Sequence, residues 1–258
     1  MRNSKTLQKL RAGQPVFCLK SIYAEPDIVE MMGYMGVDVV WICNEHLGID
    51  PEKMKNIMRA GRAGDVDVML RRAFGNYDDL IQPLEMGAAG LMVPHCRNVE
   101  MVREIVRQTK FHPMGQRGID GVSGDSRFGT ASQLEYMQHA NRETFLMVQI
   151  EDVEAIGDIE KIAATENVDI IFIGPADLSQ SLGIPGDFKN GRIREVIRRT
   201  VAACNRYGKW CGTSGLDFDY MRELIDEGVR FLTVASDFGF VKKGIKSTLE
   251  DCRKLYSK

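Results

Sequence analysis

Short apolar runs and helix-like segments alternate along this chain of 258 residues, and the alternation constrains the fold more than any other feature. Runs typical of buried strands lie at residues 15–20, 37–43, 66–70, 90–93, 144–150, 170–173, 210–213 and 231–235. Helical patterns follow them at residues 26–35, 51–63, 77–86, 99–109, 153–164, 190–207, 218–227 and 238–255. Strands that alternate with helices form parallel sheets with crossover helices. Eight such units in a chain of this length predict an α/β fold, a closed (β/α)8 TIM barrel.

The alternative fold is an open, doubly wound sheet, but no GxGxxG sequence follows the first apolar run to support it. No linker, low-complexity tract or change in composition divides the chain, which predicts a single domain over residues 1–258. Residues 111–141 interrupt the alternation, and the part from Gly115 to Gly129 is rich in glycine. We expect this stretch to be a loop that acts as a lid or contacts a partner.

Charge and hydropathy exclude several classes of partner. The chain has 34 Lys and Arg against 36 Asp and Glu, so no bulk positive charge favours nucleic acid or an anionic membrane. No stretch approaches the roughly 18 to 20 apolar residues that span a bilayer. The first residues carry charge but no apolar segment, which argues against a secretory signal. The six cysteines are scattered without a CxxC pair, so we expect reduced, mostly buried thiols and a cytoplasmic location.

Two of the apolar runs end in a carboxylate. Glu151 directly follows the run at 144–150, and Asp177 follows the run at 170–173 within Gly174-Pro-Ala-Asp177. The carboxyl ends of parallel strands form the ligand-binding face of α/β folds. Two acidic groups that meet there repel each other unless a cation lies between them. The sequence therefore predicts a divalent-metal site formed by Glu151 and Asp177.

Basic side chains follow other runs. His46 comes after the second run and His95 after the fourth, so both are candidate general bases. Arg71 follows the third run and could hold a carboxylate or an enolate oxygen with two hydrogen bonds. Lys20 ends the first run and could form a Schiff base. The more ordinary interpretation of Lys20 is a side chain that points to solvent or pairs with a neighbour.

Six short motifs follow one another along the chain: Asn44-Glu-His46, Leu70-Arg71, Gly87-Ala-Ala-Gly-Leu-Met-Val-Pro94, Gln116-Arg-Gly118, Val148-Gln-Ile-Glu151 and Gly174-Pro-Ala-Asp-Leu-Ser179. Together they resemble the HpcH/HpaI aldolase family, from about Pro15 to beyond Ala235. The resemblance implies a TIM barrel of the phosphoenolpyruvate/pyruvate type and a metal-dependent class II aldolase. Such an enzyme cleaves a 4-hydroxy-2-oxo acid to pyruvate, or a close analogue, and an aldehyde.

The resemblance also implies roles for single residues. His46 matches the base, Arg71 the arginine that holds the keto and enolate oxygen, and Glu85 an acid that supports the histidine. The residues matched to substrate binding are Gln149, Ser126, Ala176 and Asp177, and those matched to the metal are Glu151 and Asp177. Oxygen ligands of this kind favour Mg2+ or Mn2+, with Co2+ as a further ion.

Two positions depart from the family pattern. Cys43 stands where the family usually has Asp, and Glu85 stands where it has an Asp that reaches the histidine of a neighbouring subunit. A thiol with an ordinary pKa near 8.5 stays mostly protonated at neutral pH, so Cys43 cannot replace the carboxylate's charge. These changes leave the metal ligands in place.

Family members are commonly hexamers that exchange C-terminal helices, so the resemblance implies a homohexamer with an exchanged last helix. The expected partners are a small 2-oxo acid and an aldehyde, with neither nucleic acid nor membrane. Two alternatives to the metal-dependent aldolase stay open. One is a Schiff-base aldolase that uses Lys20, and the other is a non-catalytic protein that binds a 2-oxo acid.

Overall fold

The computed structural model describes residues 1–256, in which eight parallel strands close into a barrel in the order β1-β2-β3-β4-β5-β6-β7-β8. The strands are β1 (Val16–Ser21), β2 (Val39–Cys43), β3 (Asp67–Arg71), β4 (Gly90–Val93), β5 (Phe145–Ile150), β6 (Ile170–Ile173), β7 (Trp210–Ser214) and β8 (Phe231–Ser236). The helices are α1 (Lys5–Arg11), α2 (Pro26–Tyr34), α3 (Pro51–Ala63), α4 (Tyr77–Met86), α5 (Val99–Thr109), α6 (Gln133–Glu143), α7 (Ile159–Ala163), α8 (Pro175–Ser181), α9 (Gly191–Tyr207), α10 (Phe218–Asp226) and α11 (Asp237–Lys254). Because β8 pairs with β1, the sheet has no open edge, and the predicted (β/α)8 barrel is confirmed.

Side chains along each strand alternate between the inside of the barrel and the layer beneath the helices. On β2, Trp41 belongs to the inner cluster and Ile42 to the outer one. Leu7 and Leu10 of α1 also belong to the inner cluster. The side chain of Asp67, at the start of β3, accepts a hydrogen bond from the backbone N–H of Thr6 at 2.9 Å. Helix α1 therefore covers the amino-terminal end of the barrel, and ligands must enter at the carboxyl end.

Four helices differ from the sequence prediction. The sequence does not predict α1, which is only seven residues long and begins at a cap, Ser4. Helix α6 begins inside the stretch predicted as a loop. The sequence does not reveal it because only Tyr136 and Ala140 of this polar helix are buried, so its apolar periodicity is weak. The helix predicted at 153–164 is divided into a 3-10 helix, Val153–Asp158, and α7. Helix α8, directly after β6, is also absent from the prediction.

The glycine-rich part of the predicted loop packs beside the amino terminus. The amino group of Met1 donates a hydrogen bond to the carbonyl of Asp125, and Arg117 Nη2 donates one to the hydroxyl of Tyr136 at 3.0 Å. None of the residues between α5 and α6 lines the cavity at the carboxyl end of the barrel. This segment is therefore not a lid over its own chain, and its contact with a partner stays a prediction.

The cysteines are free thiols, as predicted, and all but Cys252 are buried. Burial raises the pKa of Cys18 to about 12, which keeps this thiol protonated at neutral pH. Within residues 1–256, none of the helices combines the length and the apolar character that crossing a bilayer requires.

Candidate active site

The carboxyl ends of the strands surround a cavity of about 610 Å3. His46 after β2, Arg71 at the end of β3 and Gln149 on β5 line this cavity. Ala176 and Asp177 at the start of α8 line its other side. The fold thus brings five of the residues named from the sequence to one opening, although they are spread over more than half of the chain.

Glu151 does not line this cavity itself but lies against Gly174, which does, and Glu151 is 1% exposed. Its Oε1 accepts a hydrogen bond from the backbone N–H of His95 at 2.9 Å, whereas its Oε2 has no hydrogen-bond partner in the described part of the chain. Burial raises the pKa of Glu151 to about 7, and the nearby charge of Asp177 contributes to the rise. An ionised Glu151 therefore needs a cation beside it.

Gly174 allows the Glu151 carboxylate to approach the end of β6. A Cβ atom at Gly174 would overlap Glu151 Oε2 and the side-chain amide of Gln149. The φ angle of Gly174 is −83°, which any residue can adopt, so the position requires space and not an unusual backbone. The same turn carries Asp177 three residues later.

These residues fit a hard divalent cation. A buried carboxylate oxygen without a partner, close to a second carboxylate, is a suitable ligand pair for an ion that keeps several waters. The part of the chain that the structure describes contains no group of three or more His, Cys, Asp and Glu side chains with metal-binding geometry. The chain therefore offers Glu151 and Asp177, and the remaining ligands would be water or substrate.

Arg71 is 4% exposed and is held from several sides. Its Nε lies 2.9 Å from Glu45 Oε2. Its Nη2 donates a hydrogen bond to Cys43 Sγ at 3.1 Å, and its Nη1 donates a long one to Gln149 Oε1 at 3.5 Å. The guanidinium carbon lies 4.9 Å from the centre of the Trp41 ring. These contacts fix the guanidinium plane before a substrate arrives.

Glu45 is the central acid of this group, and the sequence indicates only that it lies close to the rim, without a role for it. Besides Arg71, it approaches both candidate bases: Oε2 lies 4.0 Å from His46 Nε2, and Oε1 lies 3.6 Å from His95 Nε2. Cys43 receives its hydrogen bond from Arg71 at the position where the family usually has a carboxylate, so Glu45 supplies the negative charge beside Arg71. The signal in the sequence is its position directly before His46, just after the second apolar run.

The two histidines differ in access to the cavity. The side chain of His46 is 62% exposed and lines the cavity. His95 is held by Asp152, whose Oδ2 lies 3.0 Å from its Nδ1. Burial by itself would lower the pKa of His95, but the hydrogen bond to Asp152 and the charges of Glu151, Asp152 and Glu45 raise it. Of the two candidate bases, His46 is therefore the one whose side chain lines the cavity.

Lys20 also lines the cavity, contrary to its interpretation as a residue that faces solvent or pairs with a neighbour. Its Nζ lies 4.5 Å from the centre of the Trp41 ring. Burial lowers the pKa of Lys20, and the charge of Arg71 contributes to the lowering. Trp41 therefore contacts two cationic side chains.

Two predicted residues do not lie in this group. Glu85 is near the end of α4, where burial raises its pKa and the charge of Arg117 opposes the rise. Ser126 is 1% exposed, and its Oγ donates a hydrogen bond to the carbonyl of Ser123 at 2.9 Å. Neither residue lines the cavity of its own chain. The role of Glu85 at a site shared between subunits and the role of Ser126 in substrate binding stay predictions.

Comparisons with known proteins agree with this geometry. A model of the HpcH/HpaI aldolase/citrate lyase family matches residues 21–243. The chain is similar to the hydroxypyruvate/pyruvate aldolase of Delftia acidovorans, with 31% identity over 241 residues that cover 93% of this chain and 89% of that protein. It is similar in structure to an HpcH/HpaI aldolase from Desulfitobacterium hafniense, with a TM-score of 0.90, 28% identity and 96% of each chain covered. It is also similar to the citrate synthase SbnG, with a TM-score of 0.88, 27% identity and 98% of each chain covered.

Proposed function

The chain belongs to the HpcH/HpaI aldolase/citrate lyase family, and on that premise we propose that it is a divalent-metal-dependent aldolase. It cleaves a 4-hydroxy-2-oxo acid to pyruvate, or a close analogue, and an aldehyde, and it forms the same bond in reverse. The observation that carries this proposal is the buried carboxylate of Glu151, with one oxygen unpartnered and Asp177 close by. The similar proteins include an aldolase and a citrate synthase, so the fold alone does not identify the second substrate.

Glu151 and Asp177 would hold the ion, with Mg2+ or Mn2+ preferred because the ligands are oxygen atoms, and with Co2+ as a further ion. When bound, such an ion supplies Lewis-acid polarisation of the 2-oxo acid. Gln149 lies beside Glu151 at Gly174, and its Oε1 accepts a long hydrogen bond from Arg71, so it neighbours both charged groups. Ala176 and Asp177, which line the cavity, would receive the carboxylate of the 2-oxo acid through their backbone N–H groups.

Arg71 stabilises the charge that develops in the reaction. As the C3–C4 bond of the substrate breaks, its electron pair forms an enolate, and negative charge grows on the 2-oxo oxygen. A guanidinium that is already oriented by Glu45, Cys43 and Trp41 needs little rearrangement to meet that charge. Removal of one preorganised donor of this type lowers kcat by about 10²- to 10³-fold.

His46 moves the proton. In cleavage it accepts the proton of the 4-hydroxyl group, directly or through a water, while C4 becomes the carbonyl carbon of the aldehyde. The enolate then takes a proton at C3 from solvent and becomes pyruvate. In the addition direction His46 returns its proton to the new 4-hydroxyl group. The exposure of His46 to the cavity supports this role.

A test of the mechanism is the His46→Ala variant, assayed by pyruvate consumption with a panel of aldehydes. We expect turnover to fall by about 10²- to 10⁴-fold, because a positioned acid–base group contributes that much. Affinity for Mn2+, measured by calorimetry, should stay near that of the wild type. His112→Ala, a change at an exposed histidine in the segment after α5, is the control. Full activity of His46→Ala on the best substrate would refute the role.

Simple experiments distinguish two other functions from the metal-dependent aldolase. The position of Lys20 in the cavity favours a Schiff-base aldolase as the second candidate. In that case borohydride would attach pyruvate to Lys20, and EDTA would leave the rate unchanged. A non-catalytic protein would bind pyruvate or oxalate and cleave none of the 4-hydroxy-2-oxo acids.

A further inference from the structure

We propose that Lys20 forms an anion-binding subsite in the cavity, so that the aldehyde half of the substrate carries an anionic group such as a carboxylate or a phosphate. This inference rests on the proposed aldolase function and concerns the half of the substrate that the sequence motifs leave undefined. It gives Lys20 a binding role in place of a covalent one.

The position of Lys20 follows from the alternation along β1. Val16 and Cys18 belong to the inner cluster of the barrel, and Lys20, two residues further on, faces the same way. Lys20 is near the carboxyl end of β1, and it lines the cavity together with Arg71 and Trp41. Its Nζ rests 4.5 Å above the Trp41 ring and so has an apolar support on one side.

Lys20 has no counter-ion of its own. In the part of the chain that the structure describes, no hydrogen bond or ion pair reaches its Nζ. Glu45 is the carboxylate whose charge acts on Lys20, and Glu45 already pairs with Arg71 at 2.9 Å. The Trp41 ring and the charge of Glu45 offset only part of the hydration that this half-buried ammonium group loses, and burial accordingly lowers the pKa of Lys20. An anionic ligand would supply the missing partner.

The charges around the cavity are separated. Among the residues that line it, Asp177 is the single acid, and it follows β6. Lys20 is on β1, three strands from β6 around the closed barrel. On the side of Lys20, the lining from the start of α11 is Gly239, Phe240 and the exposed Lys243, which adds a second positive charge at the rim. A 2-oxo acid held beside Asp177 can therefore extend toward a positively charged wall.

The test compares acceptors that differ in one charged group, in aldol addition with pyruvate. One pair is succinic semialdehyde and butanal, for a carboxylate, and the other is glyceraldehyde 3-phosphate and glyceraldehyde, for a phosphate. The quantity measured is the ratio of kcat/KM for the anionic acceptor to that for the neutral one. We expect a preference for the anionic acceptor in at least one pair, and that pair identifies the anion.

The Lys20→Met variant keeps the length and apolar character of the side chain and removes its charge. We expect the selectivity ratio to fall by about 10- to 100-fold, mostly through KM, which is the range for loss of a hydrogen bond to a charged group. Lys20→Arg should retain most of the preference. Lys243→Met should have a smaller effect because its side chain is exposed. Lys242→Met is the matched control on the same helix, because Lys242 lies over Phe238 in the groove on the other side of α11.

A second measurement does not depend on turnover. Calorimetry compares the binding of 2-oxoadipate, which has a second carboxylate at the far end of its chain, with that of 2-oxohexanoate, which lacks it. We expect wild type to favour 2-oxoadipate and Lys20→Met to lose the difference. Equal binding of the two acids by wild type, or equal losses with charged and neutral acceptors in Lys20→Met, would overturn the subsite. Absence of turnover with every acceptor would contradict the proposed function instead, and the binding pair would still decide the role of Lys20.

Discussion

Glu45 Oε2 lies 2.9 Å from Arg71 Nε, and the two side chains are only 13% and 4% exposed. The two residues come from successive units of the barrel, since Glu45 follows β2 and Arg71 ends β3. Neither of these two atoms has a hydrogen bond of suitable angle within the described residues, so the contact is an ionic one. Glu45 therefore balances the charge of a buried guanidinium. That guanidinium lines the cavity, where the enolate oxygen of the proposed reaction would form.

Replacement of Glu45 by Gln tests this pairing. Without the negative charge, the buried Arg71 loses its counter-ion, and we expect kcat/KM to fall by about 10- to 100-fold, in line with the loss of one or more charged contacts. The melting temperature should fall as well, because the cation stays buried. Glu52→Gln, at an exposed position in the first turn of α3, should change neither quantity. An active and equally stable Glu45→Gln protein would mean that Arg71 is oriented by other contacts.

Gly174→Ala tests the close approach of Glu151 to β6. The added Cβ would overlap Glu151 Oε2 and the amide of Gln149, so we expect Mn2+ affinity and turnover to fall while the circular dichroism spectrum stays native. Gly157→Ala is the matched control, because nothing lies within 4 Å of a Cβ built at that position. If Gly174→Ala binds Mn2+ as tightly as Gly157→Ala does, the metal lies elsewhere.

The raised pKa of Glu151 predicts a pH dependence of metal binding. Burial moves this pKa from 4.5 in the unfolded chain to about 7 in the folded protein without metal. A proton therefore competes with the metal below pH 7, and the apparent affinity for Mn2+ should rise about tenfold per pH unit up to that point and then level off. Calorimetry with Mn2+ across this range measures the slope. Affinity that is independent of pH would exclude Glu151 as a ligand with this pKa.

The same shift affects the stability of the metal-free protein. Between pH 4.5 and about 7 the unfolded chain ionises Glu151 freely, whereas the folded chain keeps it protonated. The free energy of unfolding should therefore decrease as pH rises through this window, and saturating Mn2+ should restore it. Glu151→Gln should remove this part of the pH dependence, which thermal melts in EDTA would measure.

The sequence predicts the barrel well because parallel strands covered on both faces are apolar at nearly every position. In β2 and β3, for example, all residues are buried, so each strand stands out as a continuous run. The sequence does not predict α6, whose exposed Leu134 and few buried residues give it little periodicity. Short or polar helices are stabilised by contacts with other parts of the fold, and the local sequence pattern carries no information about those contacts.

The candidate site is predictable to the extent that its residues follow apolar runs closely, as Glu151 does directly and Asp177 does four residues later. Lys20 is two residues from Cys18, so the two side chains point to the same face of β1. Phe17 and Leu19 on the other face are also apolar, so the sequence pattern does not say which face is inside the barrel. The pairing of Glu45 with Arg71 depends on how two side chains turn across neighbouring strands. Such contacts appear only once the register of β2 and β3 is known.

Helix α11 gives a prediction about assembly. Asp237 is its one buried residue in the described chain, and Ile245 is 58% exposed, so the apolar face of the helix has no cover within its own chain. We expect a homo-oligomer, most simply the hexamer with exchanged helices that the family resemblance implies. Ile245→Glu should shift the mass measured by light scattering toward smaller species, whereas Ser247→Glu, at an exposed polar position of the same helix, should not.

Assembly also bears on activity, because Glu85 is expected to support His46 of a neighbouring subunit. Specific activity should then fall on dilution in step with dissociation, and Glu85→Ala should lower turnover while Mn2+ still binds. A wild-type protein that is monomeric and fully active at every concentration would refute both the assembly and the shared site.

The most direct test of the central claim is the metal dependence of pyruvate release from a 4-hydroxy-2-oxo acid. The purified protein is treated with EDTA, dialysed and assayed before and after addition of Mg2+, Mn2+ or Co2+, in parallel with Glu151→Gln and with borohydride trapping. A metal-dependent aldolase should lose its activity with EDTA, regain it with Mn2+ or Mg2+, and form no borohydride adduct at Lys20. Unchanged activity in EDTA together with pyruvate trapped on Lys20 would contradict the account.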